Sequence, residues 1–282
     1  MLFRSGDGTF REVGAGILTS ERRDETALGM LPTGTANDQG RSFGLNAGDE
    51  ALPRNVQVVA EGYETRLDAG LLTACAGDGT ELRQDYFFDS AGWGISARIL
   101  AARNADRRIV EQLKPLKAIY RDQLVYAGAA LRVFLESYVV TDQFGVVGTC
   151  DGRPIALDGL TDLIIKGTRV YAGAWVFDRD CLHDDGLFEV VPFRGKLDWT
   201  SKALVDLKGN PVTEEMLNSI GIEHTKPFRA SRLEIAFKSP PNAVALAAQI
   251  DGEEYPATDQ VRLEVQKRAL RLIVPEAALY RG

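Results

Sequence analysis

Three short stretches of this sequence set glycines and carboxylates at spacings suited to phosphate chemistry. The first is Ser5-Gly6-Asp7-Gly8-Thr9, which leads into a helical pattern from Arg11. Two glycines let the backbone approach a polyphosphate closely, and amide N–H groups at the start of the following helix can bind anionic oxygens. Asp7 between them would repel phosphate unless it works through a metal ion or accepts a proton; the plainer reading is an ordinary Asp-Gly turn. The second stretch is Leu31-Pro32-Thr33-Gly34-Thr35-Ala36-Asn37-Asp38, about one helix and one strand further on. Successive loops at the strand C-termini of an open α/β sheet line one crevice, so two such loops would form a nucleotide cradle. A cap-rich strand-to-helix turn is the alternative. The third is Gln249-Ile250-Asp251-Gly252-Glu253. Residues two apart on a strand share a face, so Asp251 and Glu253 would converge if strand geometry persists through the glycine. Paired carboxylates suit general-base work and magnesium binding, and a plain turn is again the competing reading. A second Gly-Asp-Gly-Thr, at Gly77 to Thr80, follows Ala74-Cys75-Ala76 and lies between two apolar runs, where it reads as a hairpin turn.

Two kinds of element have to position these residues. Over residues 1–64 helix and strand alternate. Arg11 to Leu18 has Val13, Ile17 and Leu18 on one helical face, and Ala27 to Leu31 is a short apolar run before Pro32, as in a buried parallel strand. Asn37 or Asp38 would cap the next helix. Beyond residue 65 the runs are short and punctuated by glycine, proline or aspartate: Thr65–Thr73, Tyr86–Asp89, Leu163–Ile165, Leu187–Pro192, Leu233–Phe237, Ala243–Ile250, Val261–Val265 and Leu270–Val274. That pattern predicts a mostly antiparallel β domain over 65–282. Helical spacing interrupts it around 95–137, where Tyr120, Leu124, Ala127, Leu131 and Phe134 would pack one face of a helix on the sheet.

The chain of 282 residues has a net charge of -7, a poor match for non-specific nucleic-acid binding or for a general electrostatic grip on anionic membranes. Cys75, Cys150 and Cys181 lie far apart, make no C-x-x-C pair and accompany only 2 histidines, so a zinc site is not expected and the thiols read as reduced and cytoplasmic. No stretch approaches the ~20 apolar residues of a membrane span, and the start, Met-Leu-Phe-Arg-Ser, is not that of a signal peptide.

Taken together and in order, the three stretches resemble the diacylglycerol kinase catalytic-domain family, which includes sphingosine kinases and the YegS-like bacterial lipid kinases. Leu67-Asp68-Ala69-Gly70, Phe88-Asp89-Ser90-Ala91-Gly92-Trp93-Gly94 and Asp184-Asp185-Gly186-Leu187-Phe188-Glu189-Val190-Val191 extend the likeness. Each motif is weak alone; the ordered set is specific. The resemblance implies an α/β nucleotide-binding domain of the NAD-kinase and phosphofructokinase type, partial here over 1–64, followed by a β-sandwich-like domain over 65–282. It implies transfer of the ATP γ-phosphate, with Mg²⁺, to a hydroxyl of a lipid such as diacylglycerol, phosphatidylglycerol or a sphingoid base, by a cytoplasmic protein peripheral to the membrane.

Residue by residue, the resemblance implies that Gly6, Asp7, Gly8, Thr9, Gly34 and Thr35 contact ATP, with Asn37 and Asp38 shaping that loop. Asp7 and Asp68 belong to the polar network around ATP and Mg²⁺. Glu253 is the proton acceptor, with Asp251 beside it, and Leu182, Asp185 and Leu187 match a structural magnesium site. Few cations accompany the motifs, so magnesium is expected to supply much of the positive charge. Arg11 stands where relatives commonly have asparagine and adds some; Thr168 stands where many have asparagine.

Relatives carry a further stretch before the first glycine motif, so the sequence is expected to be a fragment with exposed strand edges and weak activity. The competing readings are a non-catalytic lipid-binding relative and an NAD kinase, which shares the Gly-Asp-Gly-Thr loop. Gly34-Thr35-Ala36-Asn37-Asp38 and the late Asp251-Gly252-Glu253 favour the lipid enzyme over the latter.

Overall fold

The computed structural model describes residues 2–34, 37–112, 143–171, 181–195, 198, 226–239 and 245–279. The helical stripe expected from Tyr120 to Phe134 lies outside the described residues, as does Thr35.

The alternating pattern of the first residues folds as read. Strand β1 (Leu2–Ser5) leads into helix α1 (Asp7–Leu18), then strand β2 (Ala27–Pro32), the short helix α2 (Asp38–Ser42) and helix α3 (Leu52–Glu61). β1 and β2 pair in parallel, with Ser5 opposite Pro32, so the two glycine-bearing loops leave the sheet side by side. The apolar run of β2 is buried, as expected for a covered parallel strand. Helix α3 has no counterpart in the expected elements, although Pro53 in its first turn and Leu52, Val56 and Val59 along it are helix signals.

From residue 64 the chain is built of strands. β3 (Glu64–Cys75) and β4 (Glu81–Phe87) form a hairpin whose turn is the second Gly-Asp-Gly-Thr, as expected. β5 (Ser90–Gly94) runs into helix α4 (Ile95–Gln112). Then come β6 (Phe144–Cys150), β7 (Arg153–Leu160), β8 (Asp162–Lys166), β9 (Phe188–Phe193), β10 (Phe228–Ala230), β11 (Arg232–Lys238), β12 (Ala248–Ile250), β13 (Glu253–Tyr255) and β14 (Gln260–Ile273). The two apolar runs expected at Val261–Val265 and Leu270–Val274 are one strand, β14, interrupted by a register shift between Gln266 and Leu270.

Two sheets result. In one, the order is β1-β2-β14-β11-β6-β7, with β3 on β14 and β4 on β3; in the other, it is β10-β9-β8-β5-β12-β13. Their facing sides share one core, which includes Leu72, Phe87, Trp93, Leu163, Val190, Ile235 and Leu263. A second core packs α1 and α3 on the parallel strands through Phe10, Ile17, Leu28, Val58, Leu67, Phe88, Leu270 and Leu272. Strands β3 and β14 contribute to both cores, and the end of β14 pairs in parallel with β2 at Arg271 and Leu272. The end of β14 therefore extends the α/β sheet begun by β1 and β2. All three cysteines are free thiols.

Candidate active site

The loops after β1 and β2 touch. A Cβ on Gly34 would lie 2.6 Å from the Gly6 Cα, and one on Gly6 would lie 3.2 Å from the Gly34 Cα, so neither position accepts a side chain without separating the loops. Asn37 holds the second loop in shape from a left-handed conformation (φ 52°). Its Oδ1 accepts the Gly34 N–H at 2.8 Å, and its Nδ2 donates to the Gly34 carbonyl. Asp7, in the first turn of α1, reaches across and caps α2. Its two oxygens accept the amides of Asp38 (3.1 Å) and Gln39 (3.2 Å). Burial, then the nearby Asp89 carboxylate, raise the Asp7 pKa, and these two amides only partly offset the rise.

Glu253 closes the cradle from the other sheet. The β12–β13 hairpin turns on Asp251 (φ 47°) and Gly252 (φ 75°), two successive left-handed residues. This turn breaks the strand alternation, so Asp251 and Glu253 do not converge as one face of a strand would make them. Asp251 points into the core, 3% exposed, and accepts backbone N–H groups from Phe88 (2.9 Å), Asp89 (2.8 Å) and Ser90 (3.0 Å). Burial, with Asp89 adding to it, pushes its pKa up to about 7. Glu253 instead crosses to α1. Its carboxylate lies against Gly8, where any Cβ would collide with it, and its Oε2 is 2.5 Å from Arg11 Nη2.

A buried cation to which the motifs do not point, Lys166, lies beside these groups. Lys166, 2% exposed, donates from Nζ to Asp89 Oδ1 (3.0 Å) and to the Val170 carbonyl (2.5 Å), and faces the Tyr171 ring 5.2 Å away. Thr168 Oγ1 donates to the same Asp89 oxygen at 2.5 Å. The positive charge of Lys166 also reaches Asp7, whose pKa it draws down. At the end of an apolar strand such a lysine reads as a solvated terminus; only its pairing with Asp89, 77 positions away, reveals it.

Asp68 and the 182–187 loop form a separate knot. Asp68 accepts the amides of Gly186 and Arg268, both at 2.6 Å, while its own N–H donates to the His183 carbonyl. Its pKa is raised by burial, with Asp185 and Asp184 adding to the rise. Asp185 Oδ1 accepts the Leu187 N–H (2.9 Å), and the Asp185 carbonyl accepts Lys267 Nζ (2.9 Å). The Leu182, Asp185 and Leu187 set thus has its carboxylate engaged in a local turn and a lysine ammonium on one of its carbonyls. Among the described residues no group of three or more His, Cys, Asp or Glu side chains is arranged to hold a metal.

Around the glycine cradle the fit to a polyanion is better. Gly6, Gly8 and Gly34 carry no side chain, which lets the two loops and Glu253 close on one another there. The buried Gln39 side-chain amide and Arg11 Nε have no hydrogen-bond partner among the described residues. Asp7, whose pKa is raised first by burial and then by Asp89, is a carboxylate that a divalent cation bound beside it would stabilise in its charged form.

Residues 2–72 match the model of the diacylglycerol kinase catalytic domain, so the resemblance carried by the motifs holds over the segment bearing both glycine loops and Asp68. Proteins named probable lipid kinase YegS, from Escherichia coli O1:K1 / APEC and strain SMS-3-5 / SECEC, are each 33% identical over 94 residues. That stretch covers 33% of this chain and 27% of theirs, so the match spans about a quarter of those relatives. A diacylglycerol kinase structure from Bacillus anthracis str. Sterne superposes with a TM-score of 0.62 at 14% identity, covering 98% of this chain and 76% of that one. Yeast NADH kinase complexed with NADH superposes with a TM-score of 0.53 at 9% identity, covering 100% and 64%. The fold is therefore that of diacylglycerol and NAD kinases, with an α/β layer and a mostly antiparallel β part.

Proposed function

We propose that this protein is an ATP- and Mg²⁺-dependent lipid kinase that transfers the γ-phosphate to a hydroxyl of a lipid alcohol. The observation that carries this reading is Glu253. It is a half-exposed carboxylate set against Gly8 at the N-terminal turn of α1, beside two touching glycine loops. Phosphoryl transfer asks a protein mainly for positioning and charge neutralisation. Gly6, Gly8 and Thr9 present the α1 amides and Gly34 the second loop as a cradle for the nucleotide phosphates, and Thr35, outside the described residues, joins them by the family resemblance. Asn37 and Asp38 hold that loop, and Asp7 locks it to α1. Mg²⁺ would balance the charge that Asp7 and the phosphates bring together. Glu253 accepts the proton of the attacking hydroxyl as the oxygen–phosphorus bond forms.

Asp251 acts as a positioning residue: it pins Phe88, Asp89 and Ser90 under the hairpin that presents Glu253. Asp68 belongs to the same reading through the loop and β14 backbone it ties together, and Leu182, Asp185 and Leu187 as a Mg²⁺ site that forms once Lys267 leaves the Asp185 carbonyl. The acceptor is a lipid presented at a membrane surface. Among the described residues no helix is long and apolar enough to cross a membrane, which fits docking from the aqueous side.

The test is Mg²⁺-dependent transfer of label from ATP to a panel of lipid alcohols in mixed micelles, run with the unsubstituted chain and its Glu253→Gln variant. Labelled lipid is expected, reduced about 10²–10⁴-fold by the substitution. A folded chain that labels no lipid across diacylglycerol, phosphatidylglycerol and sphingoid bases, or a Glu253→Gln variant as active as the parent, overturns the assignment.

A further inference from the structure

We propose that Arg11 exchanges partners during turnover, holding Glu253 while the site is empty and the terminal phosphate of the bound nucleotide once Glu253 has swung aside. This rests on the kinase reading above. Arg11 lies three positions after Gly8 on α1, so the two share a helical face. The Glu253 carboxylate spans both: it lies against Gly8 and is 2.5 Å from Arg11 Nη2. A carboxylate there lies beside the first turn of α1, close to where a phosphate drawn to that helix end would sit. Arg11 carries the spare capacity for the exchange, since its buried Nε has no hydrogen-bond partner among the described residues and a guanidinium fork suits two phosphate oxygens.

The exposures give the direction of movement. The Arg11 side chain is 17% exposed and that of Glu253 47%, so the glutamate is the freer partner. The other charges nearby do not compete, because Asp85 is held by Arg83 Nε and Nη2 (2.5 and 2.6 Å) and by the Tyr255 hydroxyl (2.8 Å). Once Arg11 is on the phosphate, Glu253 takes the proton of the lipid hydroxyl and the hydroxyl oxygen bonds to the γ-phosphorus. The bond from that phosphorus to the β,γ-bridging oxygen breaks, its electron pair leaving with ADP. Arg11 is then a catalytic residue whose cation faces the transferring group, and its pairing with Glu253 keeps the base engaged until nucleotide arrives.

Equilibrium binding of ADP and of non-hydrolysable AMP-PNP, both with Mg²⁺, tests this on the full chain and on Arg11→Gln, Arg11→Lys, Glu253→Gln and the Arg11→Gln/Glu253→Gln double variant. The unsubstituted chain is expected to prefer AMP-PNP. Arg11→Gln is expected to lose about tenfold of that preference and Arg11→Lys less. Glu253→Gln is expected to tighten AMP-PNP several-fold when Arg11 is present and by less when it is absent. A folded Arg11→Gln variant that keeps the full preference, or a Glu253→Gln gain that is the same with and without Arg11, overturns the exchange while leaving the kinase reading intact. If Arg11→Gln does not fold, unchanged AMP-PNP affinity in Glu253→Gln overturns it instead. A folded, unsubstituted chain that binds neither nucleotide overturns the kinase reading and this inference together.

Discussion

Asp251 and Glu253 stand two positions apart and occupy opposite environments. Both oxygens of Asp251 are spoken for: Oδ1 accepts the amides of Asp89 and Ser90, and Oδ2 accepts that of Phe88. Asparagine keeps one accepting oxygen and would set an N–H₂ group against the Phe88 N–H. Asp251→Asn is therefore expected to cost about 1–3 kcal/mol in urea unfolding. The cost has a pH signature. With a folded pKa of about 7 against an ordinary 3.8, Asp251 binds its proton more tightly in the folded chain than in the unfolded one. Stability from that proton is complete below the ordinary value and is lost as pH rises towards about 7. The stability gap between the unsubstituted chain and Asp251→Asn should therefore be widest near pH 4 and narrow by about pH 8; a gap that widens with pH would contradict it. The sequence alone shows both carboxylates but not their separation, because strand alternation is a local rule and the left-handed Asp251-Gly252 turn suspends it. Lys166 and Asp89 are illegible for the opposite reason: their meaning is a contact between distant strands, which no local spacing encodes.

Helix α2 is five residues long, too short to hold together by propensity, and its first amides are satisfied from another element by Asp7. Asp7→Asn leaves a single carbonyl oxygen for two donors. Faster hydrogen exchange is expected at the Asp38 and Gln39 amides, with a local loss of about 0.5–2 kcal/mol, while amides in β3 and β14 keep their protection. Unchanged exchange at 38 and 39 would show that α2 does not depend on this cap. At this scale the sequence is uneven. β2 and the helix after Asn37 are plain from an apolar run, a proline and two residues that read as caps, although neither side chain caps the helix and Asp7 does so from α1 instead. β3 and β14 are plain from their apolar runs, although the irregularity between Gln266 and Leu270 makes one strand look like two. β6 and β7 escape notice because Gly145 and Gly148 interrupt the first and Pro154, Asp158 and Gly159 break up the apolar residues of the second. Yet Asp151-Gly152 between them, both left-handed, is a hairpin signal readable from the sequence. β5 hides because small residues, Ser90, Ala91, Gly92 and Gly94, make up most of it.

For the molecule as a whole, the site depends on how closely α1 sits on the β sandwich. Gly14 is where they meet: a Cβ there would lie 2.6 Å from Phe88 Cζ, and Phe88 packs edge-on against Phe10 with ring centroids 5.4 Å apart. Phe88 is also the residue whose amide Asp251 holds, one turn of chain beneath the hairpin that carries Glu253. The distance between the glycine cradle on α1 and the base on β13 is thus set by a contact that touches neither. Gly14→Val should push α1 away from Phe88. Overpacking of this kind costs about 1–3 kcal/mol in unfolding free energy. Phosphate transfer should fall further than that loss explains, because a misplacement of about 1 Å between reacting groups can cost roughly 10²-fold in rate. The measurement is a pair: urea unfolding, and transfer at saturating ATP under conditions where the variant is fully folded. A folded Gly14→Val chain with parental turnover would mean that α1 and the hairpin adjust independently. A folded chain with depressed turnover, partly restored by Phe88→Leu in the same molecule, would place the alignment of base and phosphate in this one aromatic contact.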